Sequence, residues 1–238
     1  MQTLSLNHQK PAPELIEFFQ DHGFVKVKKA LSEQSAQAIY QTIKSQPTWN
    51  LVFDANGKHL DLNNQEVAKW SNSQKSELQD IIYQQASNSF QYHYETIPLY
   101  DIYQNNLMPG HFFNQIIEFL NEETTLDFFR ELLGASDIAF ADGQITKFSA
   151  GHFLNVHNDD VENKNRVAAY VINLTPSWQA NWGGALHLLD DEQALKQSFL
   201  PTFNEINIFK IPVDHYVGFV SPFASKPRLS ITGWLRRK

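Results

Sequence analysis

Over the first half of the chain, apolar residues recur at spacings of three and four. Past Gly134 they alternate with polar ones, so the kind of secondary structure changes there. Pro13-Glu14-Leu15-Ile16-Glu17-Phe18-Phe19 predicts a short amphipathic helix with proline near its start and Gly23 after it, and Phe24-Val25-Lys26-Val27 then alternates like a strand. Ser32 suits the N-cap of a second helix with an apolar face of Ala36, Ile39, Tyr40 and Ile43. Further helices are expected over 75–86, 112–120 and 126–133, the last capped by Thr124 or Thr125 and stopped by Gly134. Residues 94–110, YETIPLYDIYQNNLMPG, show no clean period and are expected to form a long loop, a candidate lid over a site.

Beyond Gly134 the candidate strands are 138–140, 144–148, 153–157, 167–174, 184–189, 206–211, 215–220 and 229–235. Short Val-, Ile- and Phe-rich runs separated by turn residues predict an antiparallel barrel or jelly roll. No repeat or linker separates the halves. The expected fold is therefore α+β, with a jelly-roll core over 135–238 and the mainly helical 1–134 packed against it as part of the same domain.

Composition narrows the chemistry. The 238 residues include no Cys, which excludes thiolate metal sites, iron–sulfur clusters, disulfides and a cysteine nucleophile, and suits a reducing, cytoplasmic setting. A net charge of −7, with no basic run beyond Arg236-Arg237-Lys238, gives no electrostatic footprint for nucleic acid or an anionic membrane. The opening Met-Gln-Thr-Leu-Ser-Leu-Asn-His has neither a cationic nor an apolar leader region, and no apolar run is long enough to span a bilayer.

The chemistry-bearing stretch is Phe153-Leu154-Asn155-Val156-His157-Asn158-Asp159-Asp160. On a strand, His157 and Asp159 share a face and offer an imidazole and a carboxylate to one ion. His215, at the start of a later strand, supplies a possible third ligand. Two His and one carboxylate with open positions suit non-haem Fe(II), and a hydrolytic zinc site remains an alternative. Arg228 and Ser230 also share a strand face, so a guanidinium and a hydroxyl can converge on a buried carboxylate. Of the other histidines, His152 has no parity with His157 and is expected to be exposed or behind the ligands. Trp178, Trp182 and Trp234 are expected to be packing residues.

These elements together resemble the Fe(II)/2-oxoglutarate-dependent dioxygenases, in their prolyl hydroxylase branch and most like the subfamily acting on ribosomal proteins. The resemblance rests on His157-Asn158-Asp159, the run Arg166 to Trp178, Gly183-Gly184-Ala185-Leu186-His187-Leu188, His215, and Arg228-Leu229-Ser230 leading to Gly233-Trp234. It implies a double-stranded β-helix core with His157, Asp159 and His215 on Fe(II), and Arg228 assisted by Ser230 on the distal carboxylate of 2-oxoglutarate. Asn173 stands where a carboxylate-binding Tyr is frequent and can still donate; Phe148 stands where another Tyr is common and cannot. The implied reaction couples decarboxylation of 2-oxoglutarate with O2 to hydroxylation of a C–H bond. A prolyl residue of a protein or peptide is the expected substrate, Tyr100 and Tyr103 are candidate substrate contacts, and ascorbate is an accessory reductant. The alternatives are the same chemistry on a free amino acid or small metabolite, and a non-catalytic module that binds metal and 2-oxoglutarate.

Overall fold

A computed structural model describes residues 3–238. Seven α-helices and thirteen strands are found among them. The first half contributes α1 (Pro13–His22), β1 (Phe24–Lys28), α2 (Glu33–Lys44), β2 (Asn50–Asp54), β3 (His59–Asn63), α3 (Asn64–Ala68), α4 (Asn72–Ala86), β4 (Tyr92–Ile97), α5 (Leu99–Gln104), α6 (Phe112–Asn121) and α7 (Glu123–Leu133). The second contributes β5 (Phe140–Ala141), β6 (Gln144–Phe148), β7 (Phe153–His157), β8 (Arg166–Asn173), β9 (Leu186–Leu189), β10 (Leu195–Phe199), β11 (Glu205–Lys210), β12 (His215–Val217) and β13 (Arg228–Arg236).

Local chemistry explains the helix limits. The Ser32 hydroxyl accepts from the Ser35 amide and opens α2, whose buried face is Ala36, Ile39 and Ile43. Helix α4 begins earlier than its apolar pattern predicts, because Ser71 and Gln74 form a reciprocal capping box. Helix α7 is capped at Glu122 rather than at Thr124 or Thr125, whose hydroxyls instead donate to the Glu122 carboxylate. Gly134 ends it at φ 63°, as a left-handed C-terminal residue should.

The strands form one curled sheet in the order β1-β11-β8-β13-β6-β4-β7-β12-β9-β10, with β2 and β3 on the edge of β4 and β5 on β13. The neighbours along this path are antiparallel, and strands β7, β9 and β12 fold back to face β6, β8 and β13 across a cavity. Strand β8 shows how two cores are filled. Ala168, Tyr170 and Ile172 pack into the helix-side core with Ile39, Ile116 and Phe129, while Ala169 and Val171 meet Leu186 and Leu188 between the sheet layers. This mixed α+β double-stranded β-helix is the expected fold.

The helical half also threads into the sheet, since β1 pairs with β11 and β4 lies between β6 and β7. Residues 94–110 are therefore not a lid. Their first part completes β4, and α5 follows, with the Tyr100 amide donating to Gly143 O. The alternation of Tyr92, Tyr94 and Thr96 with His93, Glu95 and Ile97 is a strand pattern, but both of its faces carry polar or aromatic residues. Among the described residues no helix is long and apolar enough to cross a membrane.

Candidate metal centre

Strand β7 ends at His157, so strand parity does not bring Asp159 to it. The chain turns at Asp159 with φ 61°, a left-handed conformation that Asp tolerates better than most residues, and the carboxylate swings back beside the imidazole. Antiparallel pairing of β12 with β7 sets His215 directly opposite His157, their ring centroids 4.1 Å apart. Nε2 of His157 lies 3.6 Å from one Asp159 oxygen, and Nε2 of His215 lies 3.4 Å from the other. The three donor atoms lie within 4.8 Å of one another.

Each imidazole is fixed from behind. Nδ1 of His157 donates to Asn155 O and Nδ1 of His215 to Val213 O, both at 2.9 Å. A carbonyl oxygen can only accept, so each Nδ1 carries a proton and Nε2 is the atom each ring presents to the site. Burial, and then His215 alongside, pull the His157 pKa down, which keeps its Nε2 lone pair available. Burial alone would push the Asp159 carboxyl up, but His215, His157 and the Trp234 indole together hold it below its ordinary value. Trp234 Nε1 donates to Asp159 at 2.9 Å, and Arg166 donates to the Asp159 backbone oxygen while stacking over the Trp234 ring at 3.5 Å. Two imidazoles presenting Nε2 and an oriented carboxylate form a donor set that fits Fe(II), with room for further ligands.

The triad opens into a cavity of about 280 Å³ with mainly apolar walls, among them Leu154, Leu186, Phe209 and Val217. Trp234 and Arg228 stand on the same face of β13, Trp234 bonded to the triad and Arg228 six positions earlier. Arg228 is fully buried, with its Nε and one terminal nitrogen unpartnered, and its guanidinium lies 5.3 Å from the Phe148 ring centre. Burial lowers its pKa only to about 10, so it remains a cation at neutral pH. A buried cation with free donors and no internal anion is costly unless a ligand supplies the charge. Gly183 and Gly184, both with positive φ, permit the approach behind it: a Cβ on Gly183 would lie 2.1 Å from Phe219 O, and one on Gly184 would touch the Arg228 side chain.

Ser230 and Asn173 do not line the cavity. They are cross-strand partners one row further along the sheet, where Ser230 bonds the Thr146 hydroxyl at 2.9 Å and the Asn173 amide donates to Glu205 O. Tyr100 stacks on Phe140 on the helix side and Tyr103 is at the surface, so the structure brings neither to the cavity. Of the two expectations for His152, exposed or behind the ligands, exposure is not met: it is buried and packs on His93 of β4. The structure adds residues that motif spacing missed: Tyr94 from β4, Gln144 and Thr146 from β6, and Trp234 as a hydrogen-bond donor rather than packing alone. For Trp234 a signal was present, since it shares a strand face with Arg228.

Comparison with known proteins points one way. Residues 143–236 match the model of the 2OG-Fe(II) oxygenase superfamily. A stretch of 100 residues is 33% identical to the prolyl 3-hydroxylase OGFOD1 of Mus musculus, covering 39% of this chain and 18% of the mouse protein. The fold is similar to a Pseudomonas putida prolyl-4-hydroxylase, with TM-score 0.58 and 15% identity over 94% of this chain and 98% of that one. It is also similar to a Trichoplax adhaerens prolyl hydroxylase in complex with a hypoxia inducible factor oxygen degradation domain peptide fragment, with TM-score 0.62 and 13% identity over 94% and 87% of the two chains.

Proposed function

We propose that the protein is an Fe(II)- and 2-oxoglutarate-dependent dioxygenase that hydroxylates a prolyl residue of a protein or peptide, a reading supported by the match of residues 143–236 to the 2OG-Fe(II) oxygenase superfamily and by the similarity to a prolyl 3-hydroxylase. The observation that carries this reading is the unpartnered, buried Arg228 in the same cavity as the His157–Asp159–His215 cluster. A hydrolytic zinc site would have no use for that cation, whereas a dicarboxylate co-substrate would supply the anion it lacks.

In this reading His157 and His215 would hold Fe(II) through Nε2 and Asp159 through a carboxylate oxygen, with the Asn155 and Val213 carbonyls and the Trp234 indole holding all three in aim. Arg228 would pair with the distal carboxylate of 2-oxoglutarate. The bound metal would supply the coupling of O2-dependent oxidation of 2-oxoglutarate to succinate and CO2 with hydroxylation of a C–H bond. The apolar walls keep bulk water away from the reacting centre. The prolyl preference is supported by the named activities of the mouse and Pseudomonas putida proteins. The test is O2-dependent succinate formation with proline-containing peptides, followed by mass spectrometry. A gain of one oxygen atom on proline is expected, and succinate formation stimulated only by a non-peptide metabolite would contradict the substrate assignment.

A further inference from the structure

Tyr94 lies outside residues 143–236 and reaches the cavity from β4. Strand register explains how. Glu95 faces Lys147 and Thr96 faces Thr146, so Tyr94 falls opposite Phe148, which in turn faces Arg228 across β13. The three side chains form one cross-strand row pointing inward, with the Tyr94 ring stacked on Phe148 at 4.9 Å and 17°. The Tyr94 hydroxyl lies beside the Gln144 side chain and near enough to Asp159 for that carboxylate to oppose its ionisation. Gln144 Oε1 accepts from Thr96 at 2.8 Å, and with the Gln144 amide nitrogen turned to the phenol oxygen the phenol proton is available to a ligand. Burial raises the Tyr94 pKa, so the proton stays in place at neutral pH.

Tyr94 thus brings a neutral hydroxyl to the cavity that Arg228 shares with the metal cluster, where Phe148 offers only a ring. We propose that Tyr94 is a direct contact for the dicarboxylate co-substrate, its hydroxyl donating to a ligand oxygen and supplying from β4 the donor that position 148 lacks. This rests on the oxygenase reading above. It assigns the β-hairpin side of the helical half a part in co-substrate affinity, so the cavity is completed by both halves of the chain.

The test is anaerobic calorimetric titration of the Fe(II)-loaded protein with 2-oxoglutarate, using wild type, Tyr94→Phe, and Tyr94→Phe combined with Phe148→Tyr, with thermal unfolding as the folding control. One lost hydrogen bond to a carboxylate predicts about tenfold weaker binding for Tyr94→Phe. Returning a hydroxyl on the neighbouring stacked ring should recover most of that loss, which a purely packing role for Tyr94 would not allow. Affinity of Tyr94→Phe within twofold of wild type, or a loss in the folded protein that the second substitution fails to recover, overturns the contact while leaving the oxygenase reading intact. Absence of 2-oxoglutarate binding by the wild type contradicts that reading itself, and the contact with it.

Discussion

Two pairs of neighbouring histidines stand on opposite sides of the sheet around β4 and β7, and among the described residues only one of them is built to hold a metal. His157 and His215 have ring centroids 4.1 Å apart, and His93 and His152 have theirs 4.5 Å apart, at similar tilts of 50° and 47°. The difference lies in what surrounds them. The first pair has Asp159 between its Nε2 atoms, and both of its Nδ1 protons are taken by backbone carbonyls. Near the second pair the carboxylate is Glu95, which Lys147 holds at 2.8 Å, and Nδ1 of His93 has no partner. A pair of neighbouring imidazoles is thus common ground; placement of a free carboxylate and fixed tautomers make the metal site.

The sharpest way to break this contrast is Asp159→Ala. It should weaken metal binding by about a hundredfold or more, while His152→Ala should leave one metal per chain, both read by metal analysis after equilibrium dialysis. Equal metal content in Asp159→Ala and wild type would erase the distinction. Next comes Arg228→Met, which removes the cation that only a ligand can satisfy. It should weaken 2-oxoglutarate binding by about two orders of magnitude. Unfolding in denaturant should show the ligand-free variant as stable as wild type or more so, by about 1–4 kcal/mol.

The His93–His152 pair should reveal itself through acid sensitivity. Burial lowers their pKa values to about 3 and about 4, below the ordinary 6.5. Below pH 6.5 the unfolded chain therefore binds protons that the folded chain refuses, and stability falls as pH drops from 6.5 toward 3. The loss between pH 6.5 and 4 should be on the order of 3 kcal/mol for each histidine. His152→Asn should flatten the denaturant-midpoint profile over that range, and an unchanged slope would contradict the burial argument. The smallest effect is expected at the surface. Tyr103→Ala should change stability by no more than about 0.5 kcal/mol and leave 2-oxoglutarate affinity unaltered, as the position of Tyr103 outside the cavity requires.

The β core was legible because period-2 runs such as 144–148 and 153–157 coincide with β6 and β7. The edge strands β3 and β10 were missed, since runs such as His59-Leu60-Asp61-Leu62-Asn63 are polar and exposed, and β2 was missed because its Leu51-Val52-Phe53 run is short and shows no alternation. Strand β4 was read as a loop because both of its faces mix aromatic and polar residues. His157 and Asp159 were paired from spacing, yet the positive φ at Asp159 that joins them leaves no pattern in the sequence. Ser230 was placed on the correct strand face with Arg228, but register directs its hydroxyl to Thr146. Tyr94 escaped notice because it reaches the site through strand pairing with residues about 50 positions away, which no local motif encodes.

The most direct measurement is anaerobic binding of 2-oxoglutarate to the Fe(II)-loaded wild type and to Arg228→Ala, followed by admission of O2 and assay of succinate. Saturable binding and succinate release by the wild type, both lost in Arg228→Ala, are the predicted result. Failure of the wild type to bind 2-oxoglutarate, or equal binding by the two proteins, would contradict the assignment of this cavity to a metal and a dicarboxylate.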